Sequence, residues 1–178
     1  MMSPTPLRLL AVLALGVSLL SGCTPAPEST PTPSPAFTSE EEAFVAAEAT
    51  FSEYIDALNR VDFSDPATFE GVFSHLSGQA AESTRRAFSQ FHAEGVRTSG
   101  ATRFSWVSGV SADADSGGVQ ARVCIDVSEV DVVDSDGASI VAPDRPALQP
   151  TVVTFAATAN AASTISGLQS SEEFTCAS

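Results

Sequence analysis

Val119-Gln120-Ala121-Arg122-Val123-Cys124-Ile125-Asp126-Val127 is the stretch on which the fold class turns. Apolar side chains alternate with Gln, Arg, Cys and Asp, the period of a strand with one face on a core and the other on water. Just upstream, Phe104, Trp106 and Val110 alternate in the same way, which predicts a second strand with these three on one face. Downstream, Asp134-Ser135-Asp136-Gly137 is a turn signal and Pro143-Asp144-Arg145-Pro146 a loop. Two more strands are predicted around Thr151–Thr158 and Ile165–Thr175.

Before Gly95 the period is that of helices. Ser39-Glu40-Glu41-Glu42 is a capping box with acids in the first turn, where the helix dipole favours them. Phe44, Ala47, Phe51, Ile55 and Leu58 then mark one apolar stripe, with Tyr54 at its edge. Asp65-Pro66 opens a second helix whose buried face is Phe69, Val72, Phe73 and Leu76. A third follows Ser77-Gly78, carries Thr84, Ala87, Phe88 and Phe91 on one side, and stops at Gly95. Arg85 and Arg86 point away from that stripe. Helices followed by an antiparallel meander predict an α+β domain over 39–178: three N-terminal helices packed on a curved antiparallel sheet of four or more strands.

Ala43-Phe44, Phe51 and the Tyr-x-x-x-Leu-Asn spacing of Tyr54 to Asn59, with four late strands, resemble the NTF2-like family. The resemblance spans about Glu41 to Cys176 and implies a sheet that closes around the first helix as a cone. A cystatin-like or other helix-on-sheet fold stays open beside it. In such cones a His or Asp inside serves as a general acid or base, which directs attention to His75 and His92. Both fall at the edges of helical stripes, where a partly exposed boundary role is the commoner one. The aliphatic face from Val119 to Val127 carries no carboxylate into the cone, and Asp126 and Glu129 fall outside it or at its end.

The composition narrows the function further. The chain of 178 residues has 22 acidic and 8 basic residues, a formal net charge of −14, and every basic residue is arginine. With no lysine there is no Walker A loop, no Schiff base and no Ser-x-x-Lys hydrolase. So acidic a surface also disfavours nucleic acid, whose binding requires cations to displace counterions. Neither Gly-x-Ser-x-Gly nor His-Glu-x-x-His occurs. Asp113-Ala114-Asp115-Ser116-Gly117 opens like a calcium loop, but Cys124 stands where the bidentate Glu belongs, so a solvated turn is expected. No metal and no cofactor is expected.

The N-terminus reads as an address. Arg8 precedes an apolar run from Leu9 to Leu20, shorter than the roughly 20 apolar residues that cross a bilayer. It ends in Leu20-Ser21-Gly22-Cys23, which resembles the lipobox of bacterial lipoproteins. The resemblance implies a signal peptide over 1–22, cleavage between Gly22 and Cys23, and a diacylglyceryl anchor on the Cys23 thiol. Two acyl chains hold a protein on a membrane where one is marginal. The expected location is therefore the extracytoplasmic face of the cell membrane. Residues 23–38 form a tether with Pro25, Pro27, Pro31, Pro33 and Pro35, able to extend to about 45 Å as polyproline II.

Cys124 and Cys176 are the cysteines left once Cys23 is lipidated. Outside the cytoplasm they suggest a disulfide, with two separate buried thiols as the alternative. Strand parity sets them on opposite faces, and a bulge near Ser170-Ser171 would reconcile them. Tyr54, Phe104 and Trp106 are candidates for an apolar pocket between helix and sheet, or for plain core. These features together point to a membrane-anchored, non-enzymatic binding or interaction module for a small apolar ligand or an envelope protein. The alternatives are an NTF2-like isomerase or dehydratase of a small apolar substrate, and an accessory subunit of an envelope complex.

Overall fold

Helix α1 spans Glu40–Leu58 in the computed structural model, which describes residues 36–157 and 163–176. The expected leader, the lipobox-like Leu20–Cys23 stretch and the expected tether up to Pro35 lie outside the described residues. Ser39 caps α1, its hydroxyl accepting from the Glu42 N–H at 3.1 Å. The reciprocal half of the capping box is displaced by one residue. Glu42 accepts from the backbone N–H and the hydroxyl of Thr38, at 2.8 and 2.6 Å, not from Ser39. These bonds hold its carboxyl below the usual range.

The second helical segment opens as expected at Asp65, whose carboxylate accepts from Ala67 N–H. It starts as a 3₁₀ turn, Pro66–Thr68, and continues as the short helix α2, Phe69–Phe73. Helix α3, Gly78–Glu94, ends on Gly95 in the left-handed region at φ 68°. Arg85 leaves the α3 stripe but is not idle. Its guanidinium lies 4.1 Å from the centre of the Phe73 ring. No helix among the described residues is long and apolar enough to cross a membrane.

Strands β2 (Arg103–Asp113), β3 (Gly118–Asp126), β5 (Leu148–Ala157) and β6 (Ser163–Ser170) form an antiparallel sheet in the order β2-β3-β5-β6. A two-stranded ribbon, β1 (Arg97–Ser99) with β4 (Asp131–Val133), was not predicted. Its three-residue strands are too short for alternation to register. The three helices pack on the sheet, α1 against β2, β3 and β6 and α3 against β6, giving the expected α+β architecture.

The helix-facing side of the sheet carries Phe104 and Val107 from β2, Val119 to Ile125 at alternate positions of β3, Val153 and Phe155 from β5, and Ile165 and Leu168 from β6. Phe51 of α1 and Phe155 are fully buried. Burying each such side chain contributes about 1.5–3 kcal/mol. Gly109 is needed where α1 meets β2, because a Cβ there would run into the Phe44 ring.

Two sequence expectations fail at irregularities in the ladder. Phe104 pairs with Ile125 but Trp106 pairs with Cys124, so a bulge at Ser105 turns Trp106 to the outer face. A second bulge at Val110 leaves that residue 45% exposed. Phe104, Trp106 and Val110 therefore do not share a face. The last strand ends at Ser170 rather than Thr175. Beyond it the chain lies over the outer face, with Phe174 5.8 Å from Trp106 and Cys176 bonded to Cys124. Parity no longer applies to a tail that has left the ladder. The β6 bulge lies at Ser166, not near Ser170-Ser171.

Candidate functional site

The end of α1 is tied to the start of β2 by one side chain. Asn59 donates through Nδ2 to the Thr102 carbonyl at 2.8 Å and accepts at Oδ1 from the Thr102 N–H at 2.9 Å. Two residues before Thr102, Gly100 has φ +78°, and a Cβ there would collide with the Glu129 carbonyl. Only glycine lets this turn close on the 129–130 segment. From the other side, His92 Nδ1 is 2.7 Å from the Phe63 carbonyl. A carbonyl only accepts, so this nitrogen carries the proton and the loop after α1 is pinned to α3.

That loop presents Phe63 to an aromatic cluster. Its ring centre is 5.1 Å from Phe88, 5.2 Å from Phe91 and 5.8 Å from Phe69, all edge-on. These geometries match the ring quadrupoles and add to burial. Between the cluster and the β1–β2 turn lies a pocket of about 210 Å³. Leu58, Val61, Phe63, Phe88, Phe91 and Val130 make its apolar wall. Asn59, Thr98, Ser99 and Thr102 supply polar groups at the rim. No titratable side chain among the described residues lines it. The Arg103–Glu129 pair, 2.6 Å apart and exposed, flanks the rim in sequence and holds the guanidinium above its ordinary pKa. The arrangement can enclose a small apolar group and orient it with neutral donors and acceptors.

The residues named from sequence as one pocket are dispersed. Tyr54 lies within the core at 8% exposure, not at the stripe edge, and tilts on Phe51 at 5.9 Å. Phe104 meets the same Phe51 edge-on at 5.3 Å. Phe51 thus fills the space between them, while Trp106 is on the opposite side of the sheet. His75 is at the boundary, as expected, with Nδ1 4.0 Å from the Glu53 carboxylate. His92 has a partner in Phe63. Asp113 accepts from Asp115 N–H and Ser116 N–H, and Asp134 from Asp136 N–H and Ala138 N–H, so both acidic stretches are self-bonded turns. Among the described residues no cluster of His, Cys, Asp and Glu could hold a metal. Cys124 and Cys176 form the disulfide, their Cα atoms 5.4 Å apart. Cys23, the expected lipidation site, and Gly22, the expected cleavage position, lie outside the described residues.

The sequence reading missed Phe63. Its signal was one aromatic residue in an otherwise polar stretch, Asp62-Phe63-Ser64-Asp65, where solvent offers a phenyl ring nothing.

No family model and no curated protein matches the chain. Solved structures do. The intermembrane-space region of the chloroplast protein ARC6 is 15% identical, covers 71% of this chain and 95% of its own, and superposes with a TM-score of 0.50. A protein from Catenulispora acidiphila is 16% identical over 74% of this chain and 92% of its own, with a TM-score of 0.47. A candidate aromatic ring hydroxylase from Novosphingobium aromaticivorans is 12% identical over 76% and 96%, with a TM-score of 0.45. At such identities the likeness is one of fold alone.

Proposed function

We propose that the protein is a lipid-anchored, extracytoplasmic binding module. Its anchor is Cys23, its tether runs through residues 23–38, and its folded part takes a small apolar ligand at the pocket beside Phe63. The observation that carries the binding reading is the pocket wall, three phenylalanines and three aliphatic residues with no titratable group. A non-catalytic role is supported by the helix-facing side of the sheet, where β3, β5 and β6 present aliphatic, aromatic, hydroxyl and amide side chains and no titratable group among the described residues. General acid–base chemistry requires a titratable group within hydrogen-bond reach of the reacting atom.

Size decides the first probe. A cavity of about 150 Å³ lined by aliphatic side chains takes benzene, so a pocket of 210 Å³ is large enough for one aromatic ring. Benzene titrated into the ¹⁵N-labelled protein is expected to give saturable shifts at Leu58, Phe63, Phe91 and Val130. Phe91→Trp, which fills the space, should weaken binding by about fivefold or more. Absence of saturation at millimolar benzene would remove the small-ligand reading.

The address has its own test. In cells, Cys23→Ala should move the protein out of the detergent-extracted membrane fraction or leave it as uncleaved precursor. Wild-type mature protein in the detergent-free soluble fraction would contradict anchoring.

A further inference from the structure

A second cleft lies between α3 and β6 and shares no lining residue with the Phe63 pocket. It measures about 270 Å³ and is bounded by Gln79, Ser83 and Thr84 of α3 and by Gly167 to Gln169 of β6. Tyr54 reaches it from below. The residue is more than nine-tenths buried, yet its hydroxyl has no hydrogen-bond partner among the described residues. Tyr54 is the α1 residue that lines the cleft. A ligand carbonyl that accepted from this hydroxyl would fix it in one orientation.

The β6 wall adds a second recognition element. β6 is an edge strand of the sheet. At Ile165 both backbone groups face outward: the N–H donates to the His75 carbonyl and the C=O accepts from Ser77 N–H. The short His75–Ser77 segment thus already lies beside β6 as a parallel strand, through the Leu76–Ile165 bridge. The chain then departs into α3 at Gly78. Farther along, Ser171 N–H donates to the Pro150 carbonyl, which fixes the phase of the β5–β6 ladder. Alternation along an antiparallel strand then directs the N–H and C=O of Leu168 and Ser170 away from β5. Neither residue makes a backbone bond outside the ladder among the described residues.

We propose that this cleft binds an extended, uncharged peptide segment of a partner polypeptide. The peptide adds to the β6 edge at Leu168 and Ser170, and one of its carbonyls accepts the Tyr54 hydroxyl. Strand addition is the recognition mode that an open edge with alternate N–H and C=O groups serves. The cleft walls carry amides and hydroxyls and no charge, so they select a neutral backbone over an ionic group. The protein's own tether does not fit, since Pro25, Pro27, Pro31, Pro33 and Pro35 remove the amide hydrogens that a strand must donate.

The test uses the blocked pentapeptide acetyl-TVTVT-amide and its analogue N-methylated at alternate residues, each titrated into the ¹⁵N-labelled protein. The unmethylated peptide is expected to shift Leu168, Ser170 and the amides of Gln79 to Thr84, and the methylated one to leave them unmoved. Tyr54→Phe should fold normally and bind the pentapeptide about two- to tenfold more weakly. Benzene binding at the Phe63 pocket should be unchanged in that variant, so failure here is distinct from failure of the apolar-ligand reading. The proposal is overturned by no saturable shift at about 10 mM peptide. It is equally overturned by equal binding of the methylated analogue, by undiminished binding to Tyr54→Phe, or by self-association that protects Leu168 and Ser170 and so assigns the edge to a second copy.

Discussion

The two faces of the sheet are built by different means. The inner face is mostly a run of local decisions, in which alternate residues of β3 and β5 meet the α1 stripe as the repeat in the chain implies, and bulges adjust the register only in β2 and β6. The outer face has one apolar island, and it is assembled from three distant segments. Trp106 arrives through the bulge at Ser105, Cys124 through its place in β3, and Phe174 and Cys176 through the C-terminal tail. Arg122 completes it, its guanidinium 5.4 Å from the Phe174 ring centre. Cys124, on the nominally polar face, is fully buried as a result. Periodic burial gives a core, whereas a sparse face needs a covalent link and a backbone irregularity to make one.

That contrast ranks what damage should do. Phe51→Ala on the inner face empties the space between Tyr54 and Phe104 and is expected to cost about 3–5 kcal/mol in chemical denaturation. Reduction and alkylation of Cys124 and Cys176 should cost less, about 2–4 kcal/mol. It should also shift the emission of Trp106, the single tryptophan, as Phe174 leaves it. Benzene binding at the Phe63 pocket should survive that treatment. A reduced protein that loses the pocket would mean that the two faces are coupled and the contrast is false.

The finest probe is Tyr54, the single tyrosine. Burial disfavours its phenolate and pushes its pKa up to about 12 from 10.0. The unfolded chain ionises first as pH rises. The associated stability is therefore complete below pH 10, declines above it, and is gone once the folded-state pKa is passed. The loss is at most about 3 kcal/mol. Absorbance titration of the folded protein should place the phenolate midpoint near 12, and a midpoint near 10 would show a hydroxyl standing in water rather than at the mouth of a narrow cleft. The exposed carboxylates behave oppositely and weakly. Asp62 is held below its ordinary value mainly by the Ser64 hydroxyl and Asp113 mainly by Ser116, so their contributions fade only as pH falls through the acidic range.

Much of the architecture was legible because burial and period coincide. The β3 alternation, the α1 stripe, the Asp65-Pro66 start and the Gly95 stop all express local rules, and the structure follows them. The candidate site was less legible. Phe63 stands alone in a polar loop, and its aromatic neighbours come from two helices, so no repeat announces it. The α1 stripe taken alone sets Tyr54 at its edge. The packing of α3 and β6 against that edge is what buries it.

The sequence by itself determined the order of the three helices and the four strands of the main sheet, and which side of β3 meets the core, since each depends on spacing along the chain. Only the tertiary structure decided that Trp106 and Phe104 part company, that the tail crosses the outer face, and that Tyr54 ends buried at a cleft between α3 and β6. The physical reason is the same for all three. A bulge, a departing tail and a cleft are settled by a balance among contacts from segments far apart in the chain, and a difference of one residue in register reverses the face that a side chain meets.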